Sequence, residues 1–197
     1  MRAIFLDKDG TLVDDVPYNV DPARVVLASG VVEGLRLLQR QGYALIVVSN
    51  QAGIARGLFD EEALHGLERH LSRLLRSHGI RIDGFYWCPH CPQGTVARYA
   101  TLCTCRKPMP GMLLRAAREH GIDCSRSWMI GDILNDVEAG RRAGCRTVLI
   151  DNGNETEWDW SALRSPDLMV KDFHRAARAI AEIDGLRPSA SEEACRQ

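Results

Sequence analysis

With 197 residues, 45% of them apolar and 26% charged, the chain has the length and composition of one globular domain with its own core, which excludes disorder as its working state. Twenty-five Lys and Arg against 26 Asp and Glu leave a formal charge of −1, so no basic surplus exists to hold a nucleic-acid backbone, and no nucleic-acid partner is expected. The longest apolar runs, such as Ala44–Val48, fall far short of the roughly 20 residues that span a bilayer, and Asp7 and Asp9 interrupt the opening apolar run, so neither a membrane span nor a signal peptide is expected.

The first element is the run Ala3–Leu6, which stops abruptly at Asp7 as a buried strand does. Gly30–Gln41 reads as a helix with Val31, Leu35 and Leu38 on one face, and Tyr43–Ser49 as a second buried strand. Asp60 is placed to cap the next helix, whose first turn holds Glu61 and Glu62 and whose apolar stripe runs through Leu64, Leu67, Leu71, Leu74 and Leu75 to Gly79. Phe85–Trp87 follows as a strand, and 88–105, rich in Cys, Pro and Gly, as an irregular loop. Helix Pro110–His120, strand Ser127–Ile130, helix Asn135–Ala143, strand Thr147–Ile150, strand Leu168–Val170 and helix Asp172–Ile183 complete the order.

This alternation predicts a Rossmann-like α/β/α sandwich with a mainly parallel sheet, one domain over 1–184, and a polar tail over 185–197. In such a sheet reactive residues sit just beyond the carboxyl ends of strands. Asp7, Ser49 and Asp132 all sit there. Asp7-Lys8-Asp9-Gly10 and Gly131-Asp132-Ile133-Leu134-Asn135-Asp136 each gather carboxylates at a strand end, where mutual repulsion calls for a cation and hard oxygen ligands suit Mg²⁺. A carboxylate there can also act as a nucleophile toward phosphorus. Lys8, between the two acids, is expected to point away from a site that holds both. Trp158 and Trp160 are expected to cover the sheet edge.

Four of the seven cysteines, Cys88, Cys91, Cys103 and Cys105, fall within 18 residues. The odd total and the absence of an export signal argue for a reducing, cytoplasmic setting and against a disulfide framework. With His90 there are five candidates for the four places of a tetrahedral Zn²⁺ site, and spacing does not choose between His90 and Cys91.

Asp7-Lys8-Asp9-Gly10-Thr11-Leu12, Ser49, Lys107 and Gly131-Asp132 with Asp136 resemble, in order, the four motifs of the haloacid dehalogenase (HAD) phosphohydrolases. The resemblance covers residues 1 to about 150. It implies Asp7 as nucleophile, forming an aspartyl-phosphate, and Asp9 as general acid and then base. It implies Mg²⁺ held by Asp7, the Asp9 carbonyl and Asp132, with Ser49 and Lys107 on the phosphoryl oxygens. Asp136 would orient Lys107 or support the metal, or serve only as a first-turn helix acid.

Cys88-Pro89-His90 with Cys103-Thr104-Cys105-Arg106-Lys107-Pro108 is similar to the zinc loop of one HAD branch, the D-glycero-D-manno-heptose 1,7-bisphosphate 7-phosphatases and histidinol-phosphate phosphatases. That implies structural Zn²⁺ on Cys88, His90, Cys103 and Cys105. Asn50-Gln51-Ala52-Gly53-Ile54-Ala55-Arg56-Gly57 resembles the heptose type more closely. Substrate contacts then carry over to Asp15, Val16, Pro17, Tyr18, Ser49, Asn50, Gln51, Ala52, Arg106 and Lys107. Ile133 stands where heptose enzymes often have Lys, and residues 151–170 match no pattern. The expected protein is capless, monomeric and active on a small sugar phosphate. A histidinol-phosphate phosphatase and a zinc-stabilised binding module are the competing readings.

Overall fold

The computed structural model of the protein describes residues 1–185. Six strands and five helices follow one another as β1 (Ala3–Leu6), α1 (Val31–Arg40), β2 (Ala44–Asn50), α2 (Glu61–Ser77), β3 (Gly84–Cys88), α3 (Gly111–His120), β4 (Trp128–Gly131), α4 (Leu134–Ala143), β5 (Arg146–Ile150), β6 (Leu168–Val170) and α5 (Phe173–Gly185), with three short 3₁₀ turns between them. All strand pairs are parallel, and the sheet order is β3-β2-β1-β4-β5-β6. This is the expected HAD-like α/β sandwich.

Successive side chains on a strand face opposite ways, and the core divides accordingly. Ile4, Leu6, Leu45, Val47, Ile130, Val148 and Ile150 pack against α1 and α5 through Val31, Leu35, Leu38, Phe173 and Ile180. Ala3, Phe5, Ala44, Ile46, Val48 and Met129 pack on the other side against Met112, Leu113 and Ala116 of α3 and Ala139 and Ala143 of α4. Both faces of the sheet are covered, which is why the central strands read as unbroken apolar runs. Asp60 caps α2 by accepting a hydrogen bond from the Ala63 amide at 2.9 Å. The first half of α2 packs through Leu64 and Leu67 with Ile54, Ala55, Cys91 and Tyr99, beneath the cysteine-rich loop.

The last helix runs further than its sequence pattern indicated. Gly185, assigned to the tail, is the final residue of α5; residues 186–197 lie outside the described residues. The two added residues are held there by Asp184, which accepts from the Tyr43 hydroxyl and the Trp128 indole and pairs with Arg146. These partners sit on or just before the amino ends of β2, β4 and β5. Nothing local to residues 183–185 announces them, so the polar composition reads as tail.

Strand order reverses at β1, which has β2 on one side and β4 on the other. A crevice opens at such a point, because the two chain crossovers leave in opposite directions. The carboxyl ends of β1, β2 and β4 meet in that crevice.

Candidate active site

Asp7 continues β1 by one residue, its amide donating to the Ile130 carbonyl at 3.0 Å. Carboxylate oxygens of Asp7, Asp132 and Asp136 lie within 4.8 Å of one another. Lys107, only 3% exposed, reaches into this group: its ammonium pairs with Asp7 and, at 2.6 Å, with Asp136, and donates to the Val48 carbonyl at 3.0 Å. Asp136 pairs with Lys107 from a fully buried place in the first turn of α4, where it also accepts from the Ile133 amide at 3.3 Å, so it takes part in both the acidic group and the start of the helix. A Cβ on Gly131 would overlap the Asp136 side chain, so that glycine is what lets α4 start so close to β4.

Ser49 is 1% exposed, and its Oγ accepts from Gln51 Nε2 at 2.7 Å; the same Nε2 donates to Asp9 at 3.0 Å. Lys8 departs from expectation. Its ammonium is buried and paired with the Asp9 carboxylate. Strict alternation of faces holds only while the chain stays extended, and here it bends at Lys8, so the four-carbon stem turns back toward Asp9.

Four carboxylates, Asp7, Asp9, Asp132 and Asp136, face two ammonium groups, Lys8 and Lys107, a formal surplus of two negative charges when every acid is ionised, in a largely buried space. Burial pushes Asp7 up to about 6, with Lys107 pulling against it and Asp136 adding to the rise. Burial pushes Asp132 up to about 8, reinforced by Asp7 and Asp136. Asp9 is also raised by burial, against the pull of Lys8. For Lys107 burial opposes the charge, but Asp136 and Asp7 outweigh it and hold the ammonium protonated. An all-oxygen donor set with a surplus of two negative charges fits a hard divalent cation.

A cavity of about 300 Å³ opens beside this group. Asp15, Pro17, Tyr18, Asn50, Gln51, Ala52 and Arg106, all named above as candidate substrate contacts, line it, and Asp9 reaches it from the acidic group. Ser49 and Lys107 lie buried behind it, and Val16 does not line it. The structure adds Asn19 and Arg56, the latter with its guanidinium 5.5 Å from the Tyr18 ring centre. The Asn50 side chain is committed to Lys107, donating to its carbonyl and accepting from its amide, both at 3.0 Å.

In the loop, Cys88, His90, Cys103 and Cys105 converge. Sγ–Sγ separations are 3.1, 3.3 and 3.5 Å, and His90 Nδ1 lies 3.3 Å from Cys105 and 3.6 Å from Cys88. Cys91 turns away, its thiol toward Gln93 and its side chain in the cluster beneath α2, so His90 rather than Cys91 joins the set. The Cys105 thiol is drawn down to about 5 by its hydrogen bond with Cys88, aided by Cys103 and His90, which suits a thiolate ligand. No disulfide forms among the described cysteines.

The segment after β5, silent in the sequence, also reaches the site. Asn152 donates to the Gly10 carbonyl and Asn154 to Asp132, each at 2.7 Å. Gly10 has φ +79°, and a Cβ there would overlap both Asp132 and Asn154. The Trp158 and Trp160 ring centres lie 5.4 Å apart, and the two side chains are 37% and 50% exposed.

A HAD-hydrolase-like family model matches residues 104–176. The chain is 41% identical over 179 residues to the D-glycero-beta-D-manno-heptose-1,7-bisphosphate 7-phosphatase of Photorhabdus laumondii, covering 90% of this chain and 94% of that one. It is 38% identical over 185 residues to the protein of that name from Escherichia coli K12, covering 89% and 97%. Among solved structures, the D,D-heptose 1,7-bisphosphate phosphatase of B. bronchiseptica, complexed with magnesium and phosphate, superposes with a TM-score of 0.75 at 27% identity, covering 93% of this chain and 99% of that one.

Proposed function

The chain belongs to the D-glycero-beta-D-manno-heptose-1,7-bisphosphate 7-phosphatase family of HAD-like hydrolases, and from that membership we propose that this phosphatase removes the 7-phosphate of a heptose 1,7-bisphosphate by way of an aspartyl-phosphate on Asp7. The observation that carries this reading is the division of labour between two neighbouring acids. Asp7 is locked in the buried group by Lys107, whereas Asp9 faces the cavity where a leaving alcohol would sit.

In the first half-reaction an Asp7 oxygen attacks phosphorus, the bond from phosphorus to the sugar oxygen breaks, and Asp9 supplies the proton that oxygen needs. In the second, Asp9 takes a proton from water, the water oxygen attacks phosphorus, and the bond to Asp7 breaks to release inorganic phosphate. Burial raises the proton affinity of Asp9 above that of a free carboxylate, the direction that favours a group which must both give and take a proton. Ser49 and Lys107 hold the phosphoryl oxygens as charge builds on them. Asp7 and Asp132, with the Asp9 carbonyl, would hold Mg²⁺, which when bound supplies positive charge to the transferring group. Arg106 and Arg56 give the cavity cations for the phosphate that is not cleaved. We read the protein as a cytoplasmic monomer without a nucleic-acid partner; no helix among the described residues is long and apolar enough to cross a membrane.

Phosphate release from both anomers of heptose 1,7-bisphosphate, with histidinol phosphate and simple sugar phosphates alongside, tests the substrate. The expected result is loss of the 7-phosphate with the 1-phosphate retained. Preference for histidinol phosphate, or equal loss of both heptose phosphates, refutes the assignment. Absence of release from every ester would favour a binding module.

The cysteine set is read as a structural Zn²⁺ site acting on catalysis through covalent continuity. Cys105 is bonded to Arg106, whose amide donates to Cys103 Sγ at 3.3 Å, and Lys107 comes next. Cys105→Ala should therefore lower kcat/KM by about 10²-fold at saturating Mg²⁺, the cost of a catalytic group misplaced by an ångström. Unchanged kinetics in a variant shown to lack zinc would refute the coupling.

A further inference from the structure

We propose that Asn154 is a positioning residue for Asp132, fixing the orientation in which that carboxylate meets the divalent cation. The inference rests on the reading of Asp132 as a metal ligand. A carboxylate has about four acceptor directions, and rotation about its last torsion is soft. Two neutral donors pin this one from different parts of the chain. Thr11 Oγ1 donates to Oδ1 at 3.1 Å, and Asn154 Nδ2 donates to Oδ2 at 2.7 Å. Each oxygen keeps acceptor capacity for a cation. The neighbouring charges Asp7 and Asp136 repel Asp132, and Lys107 pairs with those two instead. Neutral donors are thus what resists a swing of the Asp132 carboxylate away from the other acids.

Asn154 is itself held in place. Its amide donates to Asn152 Oδ1 at 3.2 Å, and Asn152 donates to the Gly10 carbonyl in the turn that carries Asp9. Next in the chain, Glu155 accepts from the Leu134 amide at 2.6 Å, at the first residue of the helix that carries Asp136. Residues 152–155 thereby fasten the two acidic turns to each other, with the Asn154 side chain delivered between them. Gly10 completes the fit, since any side chain there would occupy the place where Asn154 and Asp132 meet.

Calorimetric titration of Mg²⁺ into zinc-loaded protein without substrate tests this. Asn154→Ala, and the near-isosteric Asn154→Leu, should bind Mg²⁺ about 10-fold more weakly, in line with the usual cost of losing a partner behind a ligand. Their turnover deficit should shrink as Mg²⁺ is raised. Trp160→Ala, on the same segment, should bind as the parent does. Asn154 is exposed, so the variants are expected to fold, and matching melting curves verify it. Mg²⁺ affinity within about twofold of the parent in both Asn154 variants overturns the inference. A parent that binds no Mg²⁺, or an Asp132→Asn variant that binds it unchanged, overturns the metal reading itself and this inference with it.

Discussion

Asp7→Asn should stop phosphate release, with turnover falling by at least about 10⁴-fold while the protein stays folded. The amide keeps the shape of the side chain but has no oxygen nucleophilic enough to displace an alkoxide from phosphorus. The fold should tolerate the change because the site carries surplus negative charge. Burial already strains the ionised form of Asp7, so removing one charge relieves repulsion from Asp132 and Asp136. Lys107 keeps Asp136 and the Val48 carbonyl as partners. Phosphate release by the zinc-loaded, Mg²⁺-saturated variant, measured beside its thermal melt, provides the check. Turnover near that of the parent would remove Asp7 as the nucleophile, and the two-step reaction with it.

Lys107→Met should cost both activity and stability, which separates it from the first variant. The thioether fills a similar volume and carries no charge. Loss of an ammonium aimed at the phosphoryl oxygens is expected to lower turnover by about 10³-fold. It also leaves Asp7 and Asp136 buried without their shared counter-ion, and breaking one side of a buried pair costs about 3 kcal/mol. The sign of the pH dependence follows. Asp7, raised by burial to about 6 even with Lys107 present, rises further without it. A carboxyl whose folded pKa exceeds its unfolded value binds more protons in the native state, so stability falls as pH rises. Urea unfolding of the Mg²⁺-free variant should therefore show its deficit growing between pH 5 and pH 8 on the order of the window set by that shift. A deficit that is constant with pH would mean Lys107 supports the fold by packing alone.

Several features of the molecule are legible in its sequence. Apolar runs broken by Asp7, Ser49 and Asp132 disclose buried strands with polar residues at their carboxyl ends, because a strand covered on both faces has no other reason to stop so sharply. Helix limits were readable where a side chain marks them, as at Asp60. The cysteine-rich loop was readable as a cluster of soft candidate ligands, but which of them converge was not. Cys91 and His90 are neighbours in sequence, and only the packing of Cys91 beneath α2 takes it out of the set.

What the chain determined by itself is the period of its elements and the order of its motifs, since both depend on spacing along the backbone. Tertiary structure alone decided the rest: the return of Lys8 onto Asp9, the embrace of Lys107 by Asn50, the anchoring of α5 through Asp184, and the arrival of Asn154 at Asp132. Except for the bend at Lys8, these join residues 22 to 141 positions apart. Hydrogen bonds and ion pairs act over a few ångströms in space, and no local pattern of residue types records which distant group the folded sheet will bring within that reach.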